Sequence, residues 1–205
     1  EPITADNLIE KREVYGLIAA EMAKDQPTID GIKTRELKAI NPQDNFEVSL
    51  FLHRPNGVDT SLPCLLWIHG GGYIIGSAES DGFMAQQIAK SLNCAVAVVD
   101  YRLAPENPYP LPLQDCYTGL NYIVDNTESL NLDAQKIAVL GISAGAGLAA
   151  GLTLLNRDQS GNNLCGQVLL YPMLDDTNIL SAEGPDDKLI IWPRESHLFG
   201  WLSYL

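Results

Sequence analysis

A chain of 205 residues in which 46% of side chains are hydrophobic and 19% charged can bury one sizeable core, and its length fits a single domain. The formal charge of -13 argues against nucleic acid or an anionic bilayer as partner, since both need clustered Lys and Arg. No apolar stretch reaches the ~18 residues of a membrane-spanning helix, and no basic start followed by an apolar segment marks a leader. A cytoplasmic protein is expected, with secretion left open because the sequence opens on Glu1 and not on Met.

From Asp6 to Lys24, apolar residues at Leu8, Ile9, Val14, Leu17, Ile18 and Met22 form a helical stripe that ends before Asp25-Gln26-Pro27. Arg35 to Ile40 and Phe46 to His53 alternate like two antiparallel edge strands joined by the turn-rich Asn41-Pro42-Gln43-Asp44-Asn45. Strand runs follow at Leu65 to Ile68, Ala95 to Asp100, Ile137 to Leu140 and Val168 to Tyr171, separated by helical patterns at Ser80 to Leu92, Leu113 to Val124 and Ala144 to Asn156. Such alternation predicts an α/β fold with a mostly parallel, doubly wound sheet. Glu183, Asp186 and Asp187 read as a solvated loop, and Trp192 to Leu205 as an amphipathic segment. Of the four cysteines, Cys64 and Cys94 fall in or beside strand runs, Cys116 and Cys165 lie elsewhere, and the spacing matches no zinc pattern. Free thiols are expected.

Two motifs carry chemistry. Gly141-Ile142-Ser143-Ala144-Gly145 fits G-x-S-x-G at a strand-to-helix turn, the nucleophile elbow, where small residues must flank a strained serine. His69-Gly70-Gly71-Gly72-Tyr73 fits the HGGG loop that supplies amides to an oxyanion hole. Acyl transfer needs both, because attack by a serine oxygen creates an oxyanion that fixed N–H groups stabilise better than water does. The first run follows a strand as well, so both belong at the strand C-terminal ends, where open α/β sheets bind ligands.

With these motifs go Tyr101-Arg102-Leu103-Ala104-Pro105-Glu106, Tyr109-Pro110 with Asp115, and Tyr171-Pro172-Met173-Leu174-Asp175, all in one order along the chain. On these residues the chain resembles the hormone-sensitive-lipase family of α/β-hydrolases, which includes bacterial carboxylesterases. Ile142 and Ala146 stand where that family usually reads G-D-S-A-G-G. The resemblance implies an α/β-hydrolase fold with helical cap elements: a first cap segment over 1–30, a catalytic core over 31–180 and the start of a second cap segment over 181–205. It implies hydrolysis of short- to medium-chain acyl esters through an acyl-enzyme on Ser143, with oxyanion amides from Gly71, Gly72 and Ala144. No metal or organic cofactor is called for, and the partner is a small-molecule ester; oligomeric state is left open, a dimer included. His69, Gly70, Gly141, Gly145, Arg102 and Glu106 are expected to support the loops, and Tyr73 and Tyr109 to line the substrate pocket. A non-catalytic small-molecule-binding relative and an amide, acetyl-sugar or drug deacylase are the alternatives.

The base is the difficulty, since this fold places its triad in the order Ser, Asp or Glu, His. Of three histidines, His69 precedes the serine and His53 ends an edge strand, where a surface role is expected. Asp175 and His197 satisfy the order, but no strand separates them to carry a loop back to Ser143. Asp175 and Asp176 are therefore expected to hold a loop, and His197 to belong to the cap. On that reading the chain stops before the βα units that would deliver acid and base, and a last strand would be left with an unpaired apolar edge.

Overall fold

The computed structural model describes residues 1–25, 29–159, 161–177 and 192–205, the side chains of 22–25 excepted. In chain order the elements are α1 (Leu8–Asp25), β1 (Ile32–Ile40), β2 (Glu47–Pro55), β3 (Leu62–Ile68), α2 (Gly82–Leu92), β4 (Ala95–Asp100), α3 (Leu111–Asp125), α4 (Thr127–Leu130), β5 (Leu132–Ile142), α5 (Ala144–Asp158), β6 (Gly166–Leu170) and α6 (Arg194–Tyr204). The strands form one sheet in the order β1-β2-β4-β3-β5-β6. β3, β4, β5 and β6 run parallel, and β1 and β2 are antiparallel additions. The α/β-hydrolase architecture expected from the sequence is the one observed.

The centre of the sheet follows from its residues. β4 reads Ala-Val-Ala-Val-Val-Asp, and its first five residues are fully buried. Such an unbroken apolar run is what a parallel strand covered on both faces requires. One face packs Leu66, Ile68, Ala97, Val99 and Val139 against Leu120 and Ile123 of α3 and Leu148 and Leu152 of α5. The other packs Trp67, Val96, Val98 and Leu140 against Ala85 and Ala89 of α2. The chain passes from β3 to β4 on one side and then crosses to β5 on the other. β3 is thus the point where the winding reverses, the place at which open α/β sheets bind ligands.

Two expectations are corrected. Only β1 is an edge strand on that side, since β2 pairs with β4 as well and buries Val48, Leu50 and Leu52. His53 consequently lies inside, only 3% exposed, with Nδ1 2.8 Å from Thr34 Oγ1. Burial beside α2 lowers its pKa to about 4, so it is a neutral core histidine rather than a surface one. Helix α4 had no signal of its own in four residues, and β5 begins five residues before the expected start because Leu132 pairs with Leu62 across an irregular register.

At the opposite edge β6 leaves Val168 43% and Leu170 41% exposed. No disulfide joins the cysteines, and Cys64, Cys94 and Cys116 are buried. Among the described residues no helix is long and apolar enough to cross a membrane. Glu183, Asp186 and Asp187 lie outside the described residues.

Candidate active site

Ser143 follows the last residue of β5 and precedes the first of α5, at φ 55° and ψ -118°. A non-glycine residue rarely takes such a backbone, and here the surroundings hold it. The Ser143 amide donates to the Leu170 carbonyl at 2.9 Å, and the Ser143 carbonyl accepts from Ala146, Gly147 and Met173 at 3.0 to 3.1 Å. Its flanking glycines are obligatory for a different reason, close approach. A Cβ on Gly141 would lie 2.6 Å from the Ala146 amide nitrogen, and one on Gly145 would overlap the Ile68 and His69 carbonyl oxygens. Any side chain there would push α5 off β3 and β5 and relax the turn.

The glycine loop leaves the neighbouring strand in register, since Ile68 of β3 pairs with Gly141 of β5. A Cβ on Gly70 would sit 3.5 Å from the Cβ of Ser143, so the loop runs directly beside the serine. Gly71 at φ 114°, Gly72 at φ 59° and Tyr73 at φ 68° then turn the backbone sharply, closed by the Ile74 and Ile75 amides donating to the Gly71 carbonyl at 3.0 Å. Among the described residues, the amides of Gly71 and Gly72 donate to no backbone carbonyl. Ala144 opens α5, so its amide has no partner within the helix. Among the described residues, the amides of the glycine turn and of the residue after the serine are thereby left for an acceptor.

The supporting residues show what holds this geometry. His69 is buried, its Nδ1 2.8 Å from the Gly70 carbonyl and its ring stacked on Tyr101 at 4.1 Å, while the Tyr101 hydroxyl donates to the His69 carbonyl at 2.9 Å. Burial lowers the His69 pKa and keeps the ring neutral, so Nδ1–H serves as donor to Gly70. Behind it, the Trp67 indole donates to Asp81 at 2.7 Å, and burial raises the Asp81 pKa. Arg102 grips Asp115 through Nε and a terminal nitrogen at 2.8 and 2.7 Å, reaches Asp44 at 2.6 Å and lies over the Phe46 ring. It thus ties the β1–β2 turn to α3. Glu106 pairs at 2.6 and 2.9 Å with Arg12, which lowers its pKa. Arg12 had no signal in the sequence, because a lone Arg in a helix does not reveal a partner 94 residues away.

Tyr73 is only 2% exposed, stacks on Tyr204 at 4.1 Å and donates from its hydroxyl to the Met173 carbonyl at 3.1 Å. Its ring is therefore committed to packing rather than to an open pocket wall. Tyr109 stays 56% exposed at the edge of Tyr204. Over the turn lies α6: a Cβ on Gly200 would come within 2.7 Å of the Gly72 carbonyl, and one on Gly72 would overlap the Trp192 indole.

No imidazole among the described residues hydrogen-bonds the serine. His53 bonds Thr34, His69 bonds Gly70, and the His197 ring lies 6.4 Å from Trp201 with Nε2 buried and unpartnered. Asp175 accepts from the Thr177 amide and hydroxyl at 2.9 and 2.6 Å, which holds the loop after β6. Among the described residues no three His, Cys, Asp or Glu side chains converge as metal ligands would.

Comparison with known proteins places this arrangement. Residues 65–205 match the family described as alpha/beta hydrolase fold. A bacterial heroin esterase superposes with TM-score 0.90 at 38% identity, over 100% of this chain and 64% of that one. An esterase of Pyrobaculum calidifontis gives 0.83 at 28% identity, over 98% of this chain and 64% of that one. An arylesterase of Saccharolobus solfataricus is 33% identical over 80% of this chain and 51% of its own length, so the chain spans about half of that curated relative. With the match covering well over half of its residues, the chain belongs to the α/β-hydrolase family, in its hormone-sensitive-lipase and carboxylesterase branch.

Proposed function

We propose that the protein is a serine carboxylesterase acting on short- to medium-chain acyl esters. The observation that carries this reading is the strained Ser143 at φ 55° beside a glycine turn whose Gly71 and Gly72 amides, among the described residues, donate to no backbone carbonyl. Ser143 Oγ attacks the ester carbonyl carbon and gives its proton to a general base, a role that His53, His69 and His197 do not fill in this structure. The carbonyl oxygen becomes an oxyanion held by Gly71, Gly72 and Ala144. Collapse releases the alcohol, which takes up the proton, and leaves an acyl-serine that water hydrolyses by the same route. The positive end of α5 favours the developing charge. This chemistry needs neither metal nor organic cofactor. The named esterases among the similar proteins support the reaction class, and the acyl-chain preference rests on the resemblance of the motifs.

One observation favours a second reading. None of His53, His69 and His197 bonds Ser143, as a small-molecule receptor on the same scaffold would allow. Steady-state hydrolysis of p-nitrophenyl butyrate by the full-length protein separates the two. The esterase reading expects turnover that Ser143→Ala lowers on the order of 10⁴-fold or more. Binding of the ester without turnover would transfer the assignment to the receptor.

A further inference from the structure

The turn at Gly71 to Tyr73 is held in a left-handed conformation that is unfavourable at its non-glycine residue, Tyr73, so neighbours must hold it. One neighbour comes from far away in the chain. Arg12 of α1 donates from Nε to the Ile74 carbonyl at 2.8 Å and from a terminal nitrogen to the Ala104 carbonyl at 2.8 Å. Its two terminal nitrogens also fork onto the Glu106 carboxylate. The Ala104 amide in turn donates to the Tyr73 carbonyl at 2.9 Å, which closes a ring of bonds around the turn. One guanidinium thus joins the segment after the candidate oxyanion glycines to the Leu103–Glu106 loop. A planar fork with several donors can do this, whereas an ammonium point charge cannot.

Arg12 is also where α1 is fastened. Ile3 and Leu8 are buried before it, and the Ile3 amide donates to Ser196 of α6 at 2.8 Å. Beyond it every side chain from Glu13 to Ile18 is exposed, Leu17 at 71%. Leu8 in its first turn and Arg12 are contacts that dock this helix on the body of the protein. Any displacement of α1 must withdraw the donors from Ile74 and Ala104 and free the turn.

We infer that Arg12 is a positioning residue that couples the docking of α1 to the geometry of the oxyanion turn. This rests on the serine-esterase reading. Arg12 touches neither the ester nor Ser143 and acts through the amides it steadies, so its removal is expected to lower kcat more than it raises KM.

Hydrogen exchange and kinetics on the full-length protein test it together. In Arg12→Gln the peptide covering 71–76 should exchange about tenfold faster, as expected when one or two bonds that restrain opening are removed. In the same variant kcat should fall roughly 10- to 100-fold with KM nearly unchanged, the effect of a misplaced oxyanion donor. Lys11→Gln removes the neighbouring ion pair to Glu1 and should change neither readout. If Arg12→Gln does not fold, Arg12→Lys keeps the charge without the fork and should shift both readouts in the same direction. Unchanged exchange over 71–76 overturns the proposal whatever the activity. Faster exchange with unaltered kcat, or an equal loss in Lys11→Gln, overturns it while leaving Ser143 as nucleophile. Activity that survives Ser143→Ala would instead overturn the esterase reading, and the exchange result would still decide whether Arg12 holds the turn.

Discussion

Gly71 carries the sharpest demand on a single residue. Its φ of 114° suits glycine alone, and a Cβ there would overlap the carbonyl of Ile75, the residue whose amide closes the turn onto Gly71. Gly71→Val should therefore displace the amides on either side and reduce kcat by about 10² to 10³, the usual result of losing an oxyanion donor. Steady-state kinetics checks this, with circular dichroism confirming that the fold persists. His53 offers a test in pH. The folded state holds its imidazole neutral down to about 4, while the unfolded chain protonates it near 6.5. The unfolded state thus binds more protons between those values, and stability falls as pH drops through that window, by at most about 3 kcal/mol. Urea unfolding at pH 6.5 and pH 4 should show a smaller loss for His53→Asn than for the unaltered protein; parallel losses would mean that the imidazole does not resist protonation.

Helix α5 shows how one substitution changes sign along one element. Gly145 faces the end of β3, where a Cβ would overlap two carbonyl oxygens, and Gly145→Ala should destabilise by about 1 to 3 kcal/mol through overpacking. Gly151, two turns on, would place its Cβ 3.4 Å from a Leu113 methyl in ordinary contact, so Gly151→Ala should stabilise by roughly 0.5 to 1 kcal/mol. Denaturant titration of both variants decides the pair. Between elements, Arg102 holds the β1–β2 turn on α3 through Asp115, whose carboxylate is fully buried and also accepts from Asn41 at 3.2 Å. Asp115→Ala takes from the half-buried Arg102 guanidinium one of its two carboxylate partners, leaving Asp44, and should cost on the order of 2 to 3 kcal/mol in the same measurement.

The parallel strands and their helices were legible because each is a local pattern: an apolar run, a turn, a helical stripe. The serine and glycine motifs were legible because tight turns force particular residues into consecutive positions. What escaped is long-range. That β2 is interior depends on its pairing with β4, some fifty residues away, so His53 was misjudged with it. Arg12 is invisible until the fold brings it to Glu106 and Ile74. Tyr73 was expected at a pocket because of its place in the loop, and only the packing of α6 reveals that its ring is enclosed. The chain spans about half of the Saccharolobus arylesterase, and none of its three histidines hydrogen-bonds Ser143.

The central claim is that Ser143 is a nucleophile, and labelling tests it most directly. The full-length protein is treated with a fluorophosphonate, digested, and the adduct located by mass spectrometry. The expected result is one phosphonylated peptide modified at Ser143, with no adduct in Ser143→Ala. An unlabelled protein, or an adduct that persists in Ser143→Ala, would contradict it.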